Sequence, residues 1–395
     1  MKGLYIVYQH PQRRTGLFYA THHRIKHSIP YLSEVKIINL SYYDNWFVSI
    51  LKSSFGLKPT KKGDDRYIYN GLEYENFWIK RSLFHSITPW GKFDKIRNNK
   101  LFCNESFIAK NKLQALFKEA KNFDFIMAHW AIPNGRLAMK LATYSNKPFF
   151  VTYHGSDLNT APYINRPSLS ATLELLKEAT LNITVSKALM DKASQMCPRA
   201  KLIMSPNGIA SDVIQTEKTD KIKSNEVINI IFIGNLIDDK RADKLPEIIS
   251  SIVSKSTRKL HFNIVGEGKY KENIQNELNK QDVSFTLYGQ VSPKEVYTLL
   301  KHSYLLILPS RTEGMPLVIL EAIGTRTVPV ASNVGGISEI LESDFIVDES
   351  DTFINDFASK VVSLIDNPKF PQLDIKSYSW DVIMKNEIEK IKELI

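Results

Sequence analysis

Two glutamates, Glu313 and Glu321, bracket the apolar run in RTEGMPLVILEA (311–322). Ionised carboxylates are costly to bury unless paired or hydrogen-bonded, so a core segment with one at each end implies a partner for each. Pro316 suits the first residue of a helix, where its missing N–H costs nothing. Glu313 then falls in the loop before that helix and Glu321 about a turn and a half inside it. Free N–H groups near Leu317 and Val318 would face the loop with the positive end of the helix dipole, a place where a diphosphate could rest. Gly314 permits close backbone approach. The plainer reading has Glu313 complementing the dipole and Glu321 on a solvated face, but LVIL leaves little exposed face for Glu321.

Such residues need a frame. Short β-branched or aromatic runs alternate with amphipathic helical patterns from end to end, which argues for parallel sheets built from βαβ units. Strands are predicted at 4–8, 35–40, 123–129, 148–153 and 182–185. After the polar stretch SDVIQTEKTDKIKSNE (211–226) a second set follows at 228–233, 261–265, 285–288, 304–308 and 327–331. Two doubly wound domains result, 1–208 and 209–377, with a linker near 209–226 and a C-terminal helix, 378–395, packing back on the first domain. No repeat at a solenoid period is present. Open parallel sheets bind ligands beyond the carboxyl ends of their strands. That rule singles out Gly16, His129, HGSD (154–157), Gly234-Asn235-Leu236, Gly266-Glu267-Gly268, Gly289 and RTEG (311–314), which are expected to face one cleft between the domains.

Composition narrows the class. A chain of 395 residues exceeds one ordinary core, and 43% hydrophobic with 24% charged residues argues against disorder. No run approaches the roughly 20 apolar residues that span a bilayer. The start, MKGLYIVYQHPQRR, has too short an apolar stretch for a signal peptide and reads as a buried strand. Cys103 and Cys197 lack metal-ligand spacing, which fits a reducing cytoplasm.

Charge is uneven. Residues 1–208 carry 30 Lys and Arg against 14 Asp and Glu, the remainder 22 against 28. A basic first half suits an anionic partner, yet its charges are dispersed and show no nucleic-acid reader motif. Within 41–62, Trp46, Phe47, Ile50, Leu51 and Phe55 recur at helical spacing beside Lys52, Lys58, Lys61 and Lys62, and a similar mixture fills 76–92. These patterns suit helices lying on an anionic membrane surface or helices facing a core.

Taken with Ser310, the RTEGMP and Glu321-Ala322 positions and VASNVGGISEIL (330–341) resemble the donor-binding signature of family 4 of the retaining glycosyltransferases, which have the α/β GT-B fold of two Rossmann-like domains. PNGI (206–209), IGNL…K (233–240) and VGEG (265–268) extend the resemblance through the second half. AHW (128–130) and HGSD (154–157) carry it more loosely into the first. The resemblance implies that Glu321 accepts hydrogen bonds from ribose hydroxyls and that Glu313, with His154, acts at the sugar as the catalytic pair. It implies that Lys240 meets the leaving diphosphate, with Asn235 where many members have arginine. Gly16, Gly234, Gly266, Tyr288, Gly314, Met315, Pro316 and Leu317 complete the donor site.

Several residues depart from that pattern or stay open. Arg241 replaces a common glycine and could supply the missing cation. The loop holding Gly16 has one glycine where two are usual, with Arg13 and Arg14 beside it. Asp157 either caps the next helix or orients His154, and His129 reads as core packing.

The implied activity is transfer of a hexose or N-acetylhexosamine from a nucleotide diphosphate sugar, a UDP-sugar by expectation, to a lipid-linked saccharide acceptor in cell-surface polysaccharide biosynthesis. The absence of an Asp-X-Asp motif implies no metal cofactor. The expected location is cytoplasmic, peripheral at the inner face of the membrane, without nucleic acid as partner. A sugar-nucleotide epimerase of the same architecture and a non-catalytic nucleotide-sugar-binding protein are the alternatives.

Overall fold

The structure, a computed structural model, describes residues 1–8, 16–55, 59–81, 110–214 and 227–395. Its chain divides into two compact units, Met1–Pro206 together with Asp381–Ile395, and Asn207–Trp380. The sequence expectations for Arg13, Arg14, Lys58, Cys103, 82–92 and 215–226 fall outside the described residues.

The first unit holds β1 (Lys2–Tyr8), β2 (Glu34–Asp44), β3 (Arg66–Tyr69), β4 (Leu72–Arg81), β5 (Phe125–His129), β6 (Phe149–Tyr153), β7 (Leu181–Thr184) and β8 (Leu202–Met204). Their order across the sheet is β3-β4-β2-β1-β5-β6-β7-β8. Every pairing is parallel except β3 with β4. The central strands are apolar runs buried on both faces, as helix-covered parallel strands must be; Leu4, Ile6, Ile126, Phe150 and Ile183 are fully buried.

The hairpin β3–β4 was not predicted, although Asn70-Gly71 carries its signal. Both residues have positive φ, 44° and 83°, as a type I′ turn requires. This hairpin corrects the helical reading of 76–92 over the part described. Phe77, Trp78 and Ile79 are buried because β4 pairs in parallel with β2, so these aromatics belong to the core and not to a membrane face.

The second unit holds β9 (Ile228–Ile233), β10 (Leu260–Val265), β11 (Phe285–Gly289), β12 (Leu305–Leu308), β13 (Val328–Ser332) and β14 (Ile346–Val347). They form one parallel sheet in the order β11-β10-β9-β12-β13-β14. The chain winds outward from β9 through β10 to β11, then returns to β12 and winds the other way, so the topological switch lies between β9 and β12. Doubly wound sheets bind ligands at that point.

Residues Asn207–Ile209 lie in the second unit, where Asn207 Nδ2 donates to the Met315 carbonyl at 2.8 Å and Ile209 bridges to Ser379. From Asp381 onward the helix Trp380–Lys392 belongs to the first unit. Its Glu387 forms a fully buried ion pair with Arg24. The same guanidinium donates to Ser205 Oγ at 3.2 Å and to the carbonyls of Ser205 and Pro206 at 2.5 and 2.7 Å, which meets the demand that a buried charge be fully hydrogen-bonded. Among the described residues no helix is long and apolar enough to cross a membrane.

Candidate active site

At the switch point of the second unit, two loops bring opposite charges together. After β12 the chain runs through Ser310 to Glu313, which is only 9% exposed. Its Oε1 accepts from Lys240 Nζ at 2.5 Å and from Ser310 Oγ at 2.7 Å. Lys240 ends the short turn Asp238–Lys240 that follows β9, so the pair spans the switch.

The Glu313 loop is held on both sides. Arg311 N–H donates to the Asp239 carbonyl at 2.8 Å. The Arg311 guanidinium holds the Asp238 carbonyl at 2.7 Å and both oxygens of Asp243 at 2.5 and 2.8 Å. From the other side Gly336 N–H donates to the Gly314 carbonyl at 2.8 Å. Gly335, at φ +60°, lies so close that a Cβ would sit 2.2 Å from the Glu313 carbonyl oxygen; only glycine fits there. Gly314, Met315 and Pro316 are all buried.

The helix begins at Leu317, one residue later than the sequence reading had it, and Pro316 precedes it in extended conformation with ψ 120°. No side chain caps this helix and its first turn has no acidic residue, so none of its own carboxylates answers its positive end. Glu321 faces Tyr297 of the helix Pro293–His302, whose hydroxyl donates to Oε1 at 3.4 Å. Burial pushes the Glu321 carboxyl up to about 7, and the tyrosine bond opposes that rise. Among the described residues, this one long hydrogen bond leaves most of the carboxylate's accepting capacity unused. Tyr297 escaped the sequence reading because nothing local ties it to a residue 24 positions away.

Beyond β9, β10 and β11 the loops stack backbone on backbone. Gly266, at φ +142°, would place a Cβ 1.9 Å from the Gly234 carbonyl oxygen, and its N–H donates to the Gly289 carbonyl at 2.8 Å. Asn235 is exposed beside them. Tyr288, 40% exposed, donates to Asn263 Oδ1 at 3.1 Å.

Arg241 does not serve as the replacement cation that the sequence left open. Its guanidinium donates to the Pro309 carbonyl at 3.0 Å, pairs with Glu349 and lies 4.0 Å over the Phe353 ring. Arg241 and Arg311 are thus committed to holding the loops, whereas Lys240 is held by Glu313.

Gly16 and His154 lie in the first unit. Gly16 opens the helix Gly16–Ser28 and is exposed, and a Cβ there would meet nothing within 4 Å. His154 follows β6. The Asp157 carboxylate accepts from the His154 N–H at 3.0 and 3.1 Å and from the Gly155 N–H at 2.9 Å. Asp157 therefore fixes the turn that carries His154 and does not cap the helix ahead. Burial raises Asp157 to about 6 against those N–H donors.

His129, expected as packing, does more: its Nδ1 lies 3.3 Å from His154 Nε2. Burial, aided by the Arg24 charge, lowers His154 to about 3, and burial foremost holds His129 well below the ordinary histidine range. Both rings are neutral at pH 7, with His154 Nδ1 and His129 Nε2 buried and without a hydrogen-bond partner among the described residues. A neutral imidazole of this kind can exchange a hydrogen bond with a hydroxyl but brings no charge. Among the described residues no three His, Cys, Asp or Glu side chains group as metal ligands.

Comparison with known proteins accords with this layout. Residues 213–377 match the family model described as Glycosyl transferases group 1, and residues 91–213 match Glycosyltransferase Family 4. The chain is 27% identical over 224 residues to the putative teichuronic acid biosynthesis glycosyltransferase TuaC of Bacillus subtilis (strain 168), a match spanning 55% of each chain, about half the length of that relative. It is 25% identical over 362 residues to an uncharacterized glycosyltransferase of Methanocaldococcus jannaschii, covering 88% of this chain and 95% of that one. Among solved structures, Anabaena HepE in complex with UDP and glucose superposes with a TM-score of 0.68 at 14% identity, covering 100% of both chains. Two consecutive stretches thus match glycosyltransferase family models, and the likeness to solved structures shows a shared fold, the GT-B arrangement of two parallel-sheet Rossmann-like domains.

Proposed function

We propose that this chain is a retaining glycosyltransferase that moves a hexose or N-acetylhexosamine from a nucleotide diphosphate sugar to a lipid-linked saccharide, in the assembly of a cell-surface polysaccharide. The observation that carries this reading is the meeting of Lys240 and Glu313 across the β9–β12 switch. Glu321 accepts the ribose diol through charge-assisted bonds, the uncapped helix Leu317–Gly324 and Lys240 receive the diphosphate, and Glu313 takes hydroxyls of the sugar.

As the bond from the anomeric carbon to the diphosphate oxygen breaks, that oxygen gains negative charge, and a cation in a site shielded from water lowers the barrier. The acceptor hydroxyl bonds to the same face of the sugar and passes its proton to the leaving phosphate. This route requires neither a protein base nor a metal ion. His154, a neutral imidazole, is suited to hydrogen-bond a hydroxyl. A UDP-sugar as donor is supported by the Anabaena structure with UDP and glucose.

The helix Trp46–Ser54 supports a membrane-surface setting, cytoplasmic and peripheral. Trp46 is 74% exposed, Phe47 44%, Ile50 57% and the adjoining Phe55 74%, while Val48 alone of the helix is fully buried. Asp44 anchors it, accepting from Lys52 at 2.7 Å and from Thr60 N–H at 2.6 Å, which sets the exposed Lys61 and Lys62 beside the helix start. Aromatics with flanking lysines suit insertion into an anionic headgroup layer.

The test supplies nucleotide-activated hexoses and N-acetylhexosamines with a lipid-linked saccharide extract and follows label and anomeric configuration. Transfer with retention supports the reading. Conversion of the donor to an isomer without acceptor would make the protein an epimerase, and binding without turnover would make it a sensor.

A further inference from the structure

We infer that Asn207, far from Glu313 and Glu321 in sequence, is a positioning residue of the donor site: its side chain sets the backbone turn from which the helix Leu317–Gly324 presents its first N–H groups to phosphate. This role rests on the donor-site reading above and adds to it a residue that acts through another, Met315.

Three consecutive carbonyls define the turn, and each is held by a different donor. Gly314 accepts from Gly336 N–H at 2.8 Å and Pro316 from Ile319 N–H at 3.3 Å. Between them the Met315 carbonyl accepts from Asn207 Nδ2 at 2.8 Å. Met315 and Asn207 are both buried, so a Met315 carbonyl deprived of this donor bears the desolvation penalty of an unpaired group and turns away to seek another.

The orientation passes directly to the helix start. Fixing the Met315 carbonyl fixes the peptide plane that it shares with the Pro316 nitrogen. The pyrrolidine ring locks the Pro316 φ, here −73°. One soft torsion, the Pro316 ψ, then separates that plane from the Leu317 N–H. Because no side chain caps this helix and its first turn has no acidic residue, the direction of these N–H groups decides how well the helix end receives an anion.

Asn207 is itself firmly placed. Ile209 N–H donates to the Tyr378 carbonyl at 2.8 Å, and Trp380 N–H donates to the Ile209 carbonyl at 3.0 Å. A Cβ on Gly208 would sit 2.8 Å from Trp380 Cδ2, so glycine lets the chain lie against that ring. The Asn207 amide faces Met315 in one way only, since Oδ1 has no proton to give a carbonyl. Oδ1 is left buried without a hydrogen-bond partner among the described residues. A side chain kept for packing alone would avoid that cost, which points to the donor half of the amide as the reason for an asparagine here.

Calorimetric titration of the full chain tests this, first with UDP, GDP and ADP, then with the nucleoside of whichever nucleotide binds, by displacement of the diphosphate. Asn207→Leu keeps a similar volume and removes the donor without adding charge. Asn207→Ser is the milder change, its hydroxyl too short to span the contact, and thermal melts verify that each variant folds. Both variants should bind the nucleoside diphosphate about five- to tenfold more weakly than wild type. Their affinity for the nucleoside, which carries no phosphate, should change less than about twofold, a split that a general loss of structure would not give. Unchanged diphosphate affinity, or an equal loss for diphosphate and nucleoside, would overturn the role of Asn207 while leaving the donor site standing. Failure of every nucleotide to bind wild type would remove both.

Discussion

The two polar clusters of this molecule solve the cost of burial in opposite ways. In the first unit His129, His154 and Asp157 are packed into the sheet ends near Arg24, and the histidines are kept neutral by desolvation and by that neighbouring positive charge. In the second unit Glu313 keeps a cationic partner, Lys240, and Glu321 accepts, among the described residues, one long side-chain hydrogen bond from Tyr297. The histidines of the first cluster have shed their charge and offer ring nitrogens, with the one carboxylate, Asp157, satisfied by backbone N–H groups; the second cluster keeps an ion pair between side chains. In the proposed function this difference separates a place for orienting hydroxyls from one for receiving a diphosphate and a diol.

The largest expected effect breaks the charged half of that contrast. Lys240→Ala removes the cation proposed to meet the leaving group and should lower kcat/KM about 100- to 1,000-fold, in the range seen when one oxyanion-stabilising donor is lost. The corresponding neutral change, His154→Asn, should cost less and raise KM more than it lowers kcat. Steady-state kinetics of the two variants on one donor provide the check, and an equal loss in both would erase the distinction.

A smaller effect concerns the apolar face of the first unit. Trp46→Glu combined with Ile50→Glu should reduce cosedimentation with phosphatidylglycerol-containing vesicles about tenfold, because each exposed apolar side chain stops contributing burial and each new carboxylate is repelled. Transfer to a water-soluble acceptor should be unchanged in that variant. Unaltered vesicle binding would detach the helix Trp46–Ser54 from the membrane reading.

The smallest effect sharpens the comparison through pH. His154 is lowered to about 3 from an ordinary 6.5, so the unfolded chain binds a proton that the folded chain refuses, and its contribution to stability falls as pH drops below about 6.5. Glu321 is raised to about 7 from an ordinary 4.5, so the folded chain holds a proton that the unfolded chain has lost. Its contribution is present at low pH and is lost as pH rises through about 7. The melting temperature of His154→Asn minus that of wild type should therefore be higher at pH 5.5 than at pH 8, and the same difference for Glu321→Gln should be higher at pH 8. Each trend should amount to about 2–4 °C, read from thermal melts at the two pH values.

Much of the second unit was legible because its strands are continuous apolar runs, with Gly234, Gly266 and Pro309 directly after three of them and Lys240 and Glu313 in the segments beyond. The first unit was harder to read. Its hairpin was overlooked at Asn70-Gly71 because the aromatics of β4 at Phe77–Ile79 imitate an amphipathic face until β2 is known to cover them. What the sequence could not supply were pairings set by tertiary approach: Tyr297 on Glu321, His129 on His154, Arg311 on Asp243 and Arg24 on Glu387. Each joins residues remote in the chain, and each involves a side chain whose type alone fits a surface or a core equally well. The role of Arg241 was likewise undecidable from sequence, since only the placement of Glu349 and Phe353 shows where its guanidinium is committed.

The most direct test of the donor site is calorimetric titration of wild type and Glu321→Ala with UDP, GDP and ADP. The account predicts that one nucleotide binds wild type and that the variant loses at least about tenfold in affinity, the worth of a charge-assisted hydrogen bond to the ribose. Equal affinity in wild type and variant would contradict it, because Glu321 would then be a buried carboxylate of the helix and not the group that receives the nucleotide.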